Sequence, residues 1–230
     1  MSRFPRWAIP AFAIPAIAYF VGIAADNGDL KVAVKVFPVL VLALVVWLDK
    51  PPTRFKRLVV VGLVFGAGGD LLLELGYFVP GLLSFLVGHL FYITALLTKS
   101  RRLAPVLAIP FAIWAVGLPW LLSDGAGEFL VPIAFYAVVL CSAMWRAGAL
   151  LGTEFPRSAA MALFVGFITF GFSDSLIAIN RFSDTDISSW ARWVIMTTYW
   201  TAQVLIAWGA LNSDRQDETI ASSSESAEIS

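Results

Sequence analysis

A few ionisable side chains stand inside apolar runs of this 230-residue sequence. Asp70 and Glu74 lie in one run, and His89, followed by Tyr92, lies in the next. Asp174 sits in a later run between Ser173 and Ser175, and Lys35, Tyr199 and Gln203 are set among apolar neighbours too. A charge at the middle of a bilayer costs about 3 kcal/mol on insertion scales, so a functional site is the first reading of such residues. Two carboxyls with an imidazole are the groups of general acid–base chemistry: one gives up a proton, another accepts one or orients water. Gly62, Gly66, Asp70 and Glu74 recur every four residues, which makes one stripe of one helix. Glycines on that stripe let a neighbouring helix approach closely, so the carboxylates face protein. Asp174 and Arg181 share a face, as do Arg192, Tyr199 and Gln203.

The elements that must hold these residues are read from composition. Hydrophobic residues make up 59% of the chain and charged residues 14%. Soluble domains carry about 25% charged residues, so a soluble enzyme is excluded. Sixteen basic and 16 acidic residues cancel, and no basic patch supports nucleic-acid binding. One cysteine, Cys141, excludes an intramolecular disulfide and a cysteine metal cage. One histidine, His89, excludes a multi-histidine zinc site, and no metal or other cofactor is expected.

Eight apolar segments approach the roughly 20 residues that a bilayer crossing needs. They are Trp7–Ala25, Val32–Leu48, Leu58–Leu75, Val79–Leu97, Leu103–Leu122, Phe129–Leu151, Ala159–Ile179 and Trp190–Leu211. The second is short and is expected to be tilted or irregular. The fold expected is an all-α, polytopic membrane bundle of about eight transmembrane helices over residues 1–212. A Ser- and Glu-rich tail at 213–230 is expected to be disordered and cytoplasmic. Twelve of the 16 basic residues fall on one side, leaving only Lys31, Lys35, Arg181 and Arg192 on the other. The positive-inside rule then puts both termini in the cytoplasm of a multi-pass inner-membrane protein. By helical rise, Asp70 lies roughly 18 Å and Asp174 roughly 22 Å from the inner ends of their spans. His89 and Tyr199 lie roughly 14 Å from their outer ends. A shared depth suits one pocket opening outward.

The segments Asp70–Phe78 (DLLLELGYF) and Asp174–Phe182 (DSLIAINRF) match at both ends, and each follows a Phe-Gly pair. This suggests two four-helix pseudo-repeats in which Asp70 and Asp174 are equivalents. Plainer roles stand beside these. An intramembrane Asp can be satisfied structurally by Tyr or Gln, Glu74 and Lys35 can be an ion pair joining helices, and His89 can be a packing residue. Ser175 lacks the surroundings of a nucleophile elbow.

In Lys35-x-x-Pro38, Gly69-Asp70, Phe78-x-x-Gly81, His89-x-x-Tyr92, Phe172-Ser173-Asp174-Ser175, Asn180-Arg181-Phe182 and Tyr199-x-x-x-Gln203, the chain resembles the YhhN/TMEM86 lysoplasmalogenase family. The resemblance covers nearly the whole chain apart from the tail. It implies an eight-helix membrane hydrolase that cleaves the vinyl ether bond of lysoplasmalogens. The products would be a fatty aldehyde and glycerophosphoethanolamine or glycerophosphocholine. A lysophospholipid substrate and membrane lipids are then the expected partners. Vinyl ether hydrolysis starts with protonation of the β-carbon, so it needs a proton donor, a nearby negative charge and a positioned water. Asp70 and Asp174 fit the first two demands, with the order of their roles open. His89 and Tyr92 would orient the acid or the water. Lys35, Arg181 and Arg192 would bind phosphate. Glu74, Asn180, Tyr199 and Gln203 complete the expected substrate pocket. The rival readings are a small-molecule or proton-coupled transporter and a lipid-binding scaffold without turnover.

Overall fold

A computed structural model of the chain describes residues 4–183 and 187–214. The described residues are helical throughout, connected by short turns. In chain order the helices are α1 (Ala8–Ala24), α2 (Gly28–Val34), α3 (Phe37–Leu48), α4 (Arg54–Glu74), α5 (Phe78–Lys99), α6 (Pro105–Leu121), α7 (Ser123–Ala126), α8 (Leu130–Ala149), α9 (Arg157–Phe182) and α10 (Ser188–Leu211). Five stretches are long and apolar enough to cross a membrane: Gly28–Leu48, Phe78–Lys99, Ser123–Gly152, Arg157–Phe182 and Trp190–Leu211. α1 and α6 are apolar but 17 residues long, and each carries proline inside it. α4 is 21 residues long and carries the two acidic residues of the glycine stripe. The architecture is a polytopic membrane helical bundle.

The second expected span is irregular, as its shortness suggests, and starts earlier than Val32. It is two helices, α2 and α3, and begins at Gly28. Asn27 caps its start by accepting the Leu30 N–H at 3.0 Å. The break falls at Lys35 and Val36, because Pro38 has no N–H to continue the ladder. The sixth expected span likewise starts earlier, with α7 and one 3-10 turn at Gly127–Phe129 leading into α8. The turn between α4 and α5 is as short as expected. Gly76 takes φ +85° there, a conformation open to glycine at little cost. The Tyr77 N–H reaches the Leu72 carbonyl at 2.8 Å and the Gly76 N–H reaches Leu73 at 3.0 Å, the double closure of a Schellman motif.

Small residues set the closest approaches. A Cβ on Gly88 would lie 3.1 Å from the Gly62 carbonyl, so α4 and α5 touch nearly backbone to backbone. Gly166 and Gly209 do the same between α9 and α10. α3 packs on α4, α4 on α5, and α5 on α8; α8 packs on α6 and α9, and α10 closes the bundle against α9, α3 and α4. The outer surface is apolar: Val106, Ile113, Val116 and Trp120 of α6 are all well exposed. Polar side chains are turned inward instead.

Charges gather at the two ends. Lys56, almost fully buried, pairs with Asp49 and Asp214, each at 2.7 Å, and Lys99 reaches Asp214 at 3.3 Å. These pairs tie together the ends of α3, α5 and α10 and the start of α4. Ser213 and Asp214, the first residues of the expected tail, are therefore buried. Residues 215–230, with the expectation of a disordered tail, lie outside the described residues, as do Arg3 and Arg215 of the charge count.

Candidate active site

α4 carries Asp70 into the middle of the bundle, where it is buried. The Tyr199 hydroxyl on α10 lies beside its carboxylate. Gln203, one turn further along α10, donates from Nε2 to the Tyr199 oxygen at 3.0 Å. Tyr92 on α5 donates to Gln203 Oε1 at 3.2 Å. The two bonds of this chain run one way, Tyr92 to Gln203 to Tyr199, and leave the Tyr199 proton free for the Asp70 carboxylate beside it. The glycine stripe makes room for it. A Cβ on Gly66 would press on Gln203 Nε2 and the Tyr199 hydroxyl, and one on Gly62 would run into the Tyr92 ring.

His89 sits beside this chain, also buried. Its Nδ1 lies 2.8 Å from the Phe85 carbonyl one turn back. A carbonyl only accepts, so Nδ1 carries a proton there. The ring is walled by Phe170 at 4.6 Å, Tyr136 at 5.7 Å and Tyr92 at 5.9 Å, all edge-on. Asp174 on α9 receives a hydrogen bond from the Tyr136 hydroxyl. Its flanking serines are engaged elsewhere. Ser173 donates to Ile195 at 3.0 Å, while Ser175 donates to Gly171 at 2.7 Å and accepts from Trp114 at 3.1 Å.

Three polar atoms at this centre are buried with no partner: Asp70 Oδ2, His89 Nε2 and Asp174 Oδ1. Leaving a buried polar group unpaired costs about 1–3 kcal/mol. Three such atoms around one aromatic cluster mark a place that a water or a ligand completes.

Two hollows lie nearby, and one of them reaches Asp174. A polar cavity of about 330 Å³ opens at the α4–α5 turn, lined by Tyr19, Lys35, Glu74, Asn180, Arg181 and Arg192. A narrow apolar cleft holds Asp174 and Tyr136 among Leu82, Phe85, Ile133 and Leu140. Leu73, Phe78 and Ile177 line both, so the two are neighbours with a shared wall. In the cavity Lys35 pairs with Glu74 at 2.9 Å, and the Tyr19 hydroxyl donates to the same carboxylate oxygen at 3.0 Å. The Arg181 guanidinium lies over the Phe78 ring at 4.5 Å. Arg181 and Arg192 are exposed and have no acidic partner among the described residues.

The residues singled out from the sequence thus fall into two groups. Asp70, His89, Tyr92, Tyr199 and Gln203 form the buried centre, with half-buried Asp174 beside it on the cleft; Lys35, Glu74, Asn180, Arg181 and Arg192 form the polar cavity. Lys35 and Glu74 are an ion pair, the plainer of the readings given for them. Tyr19 and Tyr136 were missed. The signal was present, since the chain has only five tyrosines. Four of them, Tyr19, Tyr92, Tyr136 and Tyr199, are buried and each hydrogen-bonds to this network.

Fold and site together define a polytopic membrane helical bundle with a buried Asp70, a half-buried Asp174 and a polar cavity at one end. The chain belongs to the YhhN family, whose model matches residues 30–210. It is 33% identical over 213 residues to human lysoplasmalogenase TMEM86B, covering 90% of this chain and 88% of that protein. To human lysoplasmalogenase TMEM86A it is 36% identical over 162 residues, covering 66% and 65%. A Mycobacterium bovis lysoplasmalogenase is 32% identical over 143 residues, covering 57% and 52%. No solved structure matches the chain.

Proposed function

We propose that this chain is a lysoplasmalogenase that hydrolyses the vinyl ether bond of a lysoplasmalogen within the membrane by carboxylate acid–base catalysis. The observation that carries the reading is the adjacency of the two hollows. A cationic, water-facing cavity suits a phosphate head group, and the narrow apolar cleft beside it, about 40 Å³ and containing Asp174, suits the vinyl ether end of the hydrocarbon chain. The relatives named as lysoplasmalogenases support the choice of bond.

In this mechanism Asp174, facing the cleft, is the proton donor. Its proton goes to the β-carbon of the vinyl ether and leaves an oxocarbenium ion. Asp70 is the charged partner, held as an acceptor by Tyr199 and lying in the field of Lys35. Its negative charge stabilises the cation. Water adds to the α-carbon and gives its proton to Asp70. His89 Nε2, an unpartnered acceptor, orients that water. The hemiacetal then collapses: its hydroxyl proton returns to Asp174, and Asp70 gives its proton to the departing glycerol oxygen. Both carboxyls end as they began, and the products are a fatty aldehyde and a glycerophospho head group. Arg181 and Arg192 hold the phosphate, bidentately where geometry allows.

The helix order supports the paired-half reading. α3, α4 and α5 are successive neighbours, as are α8, α9 and α10, and each middle helix carries one Asp. The carrier reading needs a path past Asp70 to the opposite end. Fully buried Leu63, Tyr92 and Phe167 fill that region, which favours turnover. Positive charge gathers at the end away from the cavity, so the cavity opens outward and both termini are cytoplasmic.

The test is aldehyde release by purified protein given lysoplasmalogen beside its acyl lyso-lipid counterpart. Aldehyde from the vinyl ether is expected, with Asp70→Asn and Asp174→Asn each lowering the rate about 10²–10⁴-fold. No aldehyde from the parent protein, or rates unchanged in both variants, overturns the proposal.

A further inference from the structure

At the end of the bundle opposite the polar cavity, a groove of about 700 Å³ runs between the start of α4 and the end of α5. Arg54, Lys99 and Arg101 surround its polar end, and Thr94, Leu97 and Thr98 form the wall toward the membrane. Lys99 is partly committed, since it reaches Asp214 at 3.3 Å and lies over the Phe55 ring at 5.3 Å. Arg54 and Arg101 are exposed, with no acidic partner among the described residues. The amino end of α4 adds the partial positive charge of its first turn. Among the described residues Asp214, which reaches Lys99, is the one anion that meets this cluster of three cations.

The groove does not end in water. Leu97, Leu90 and Leu83 are spaced by seven along α5 and are 39%, 46% and 55% exposed, which makes one outward-facing apolar stripe rising from the cationic end. The stacked pair Phe65 and Phe91, 5.8 Å apart, flanks that stripe. A cationic mouth continuous with an apolar track on the outside of a membrane bundle has the shape of a phospholipid, with head group below and chain above. A free phosphate would use only the mouth. We propose that this groove binds an anionic phospholipid of the leaflet on the side of the chain termini, its phosphate held by Arg54 and Arg101 and one acyl chain laid along α5. Basic pockets between membrane helices on that side hold anionic head groups by the same electrostatics. The site is separate from the two-carboxyl centre and does not depend on the reaction proposed there.

Native mass spectrometry of the full chain in detergent tests this, with short-chain phosphatidylglycerol, phosphatidylcholine and inorganic phosphate as the three probes. Phosphatidylglycerol is expected to be retained over phosphatidylcholine by roughly tenfold. Arg54→Gln with Arg101→Gln should abolish that preference, each single change should lose part of it, and Arg54→Lys with Arg101→Lys should keep most of it. Arg157→Gln, a change at another exposed arginine, should leave it intact. Equal retention of the two lipids by the parent chain overturns the proposal. So does a preference that survives the double Gln change, or displacement of phosphatidylglycerol by inorganic phosphate at comparable concentration.

Discussion

At the residue scale, Gln203 is the hinge of the buried centre. It accepts from Tyr92 and donates to Tyr199, which leaves the Tyr199 proton free for Asp70. Gln203→Leu keeps the bulk and removes both bonds. Two tyrosine hydroxyls are then left without their buried partner, so stability should fall by about 1–3 kcal/mol, read as a lowered denaturation midpoint in detergent. If Gln203 acts by positioning Asp70, kcat for aldehyde release should fall with KM nearly steady. A raised KM with kcat unchanged would assign Gln203 to lipid binding instead. Much of this centre was legible beforehand. The four-residue spacing of Gly62, Gly66, Asp70 and Glu74 already pointed the carboxylates inward, and His89 and Asp174 were out of place among apolar neighbours. Tyr19 and Tyr136 were not legible in the same way. A tyrosine in an apolar span also serves as an interface anchor, and only tertiary packing decides which acceptor its hydroxyl meets.

At the element scale, the α4–α5 contact is the one that positions the site. Gly62 has no space for a Cβ beside the Tyr92 ring, and Gly88 faces the Gly62 carbonyl. Gly62→Leu should therefore push Tyr92 off Gln203 and cost about 1–3 kcal/mol of overpacking strain. Thermal unfolding of the purified variant measures that cost, and a midpoint equal to the parent's would show that α5 can slide freely. The same element shows where sequence periodicity gives out. The α4 and α5 spans and the short turn between them are read directly from the apolar runs and Gly76. The shortness of the second span pointed to an irregular crossing, but apolar composition does not place the break that Pro38 imposes at Lys35. That break lets the Lys35 side chain meet Glu74 across the cavity.

At the scale of the whole molecule, Asp214 ties the last described residues to the bundle through Lys56 and Lys99. Burial pushes its carboxyl up, but the hydrogen bond and charge of Lys56, with the charge of Lys99, outweigh this and hold it below its ordinary value. A carboxyl depressed in the folded state adds stability above its unfolded pKa and loses it as pH falls through the folded value. The denaturation midpoint should therefore drop on strong acidification. Asp214→Asn should remove on the order of 2 kcal/mol at neutral pH and flatten that acid limb. A variant as acid-sensitive as the parent would place the acid lability elsewhere. This clasp was not legible, because Ser213 and Asp214 look like the start of a polar tail until Lys56 is seen buried beneath them. The turn at Gly76 carries a last consequence, for how the chain is threaded into its bilayer. Residues 75–77 hold no charge, and the turn's own N–H groups close back onto α4. α4 and α5 can thus be translocated together as one hairpin with no strongly hydrated loop to drag across. Asp70 and Glu74 then cross as part of a two-helix unit, and Glu74 gains its partners when Tyr19 and Lys35 pack against that unit.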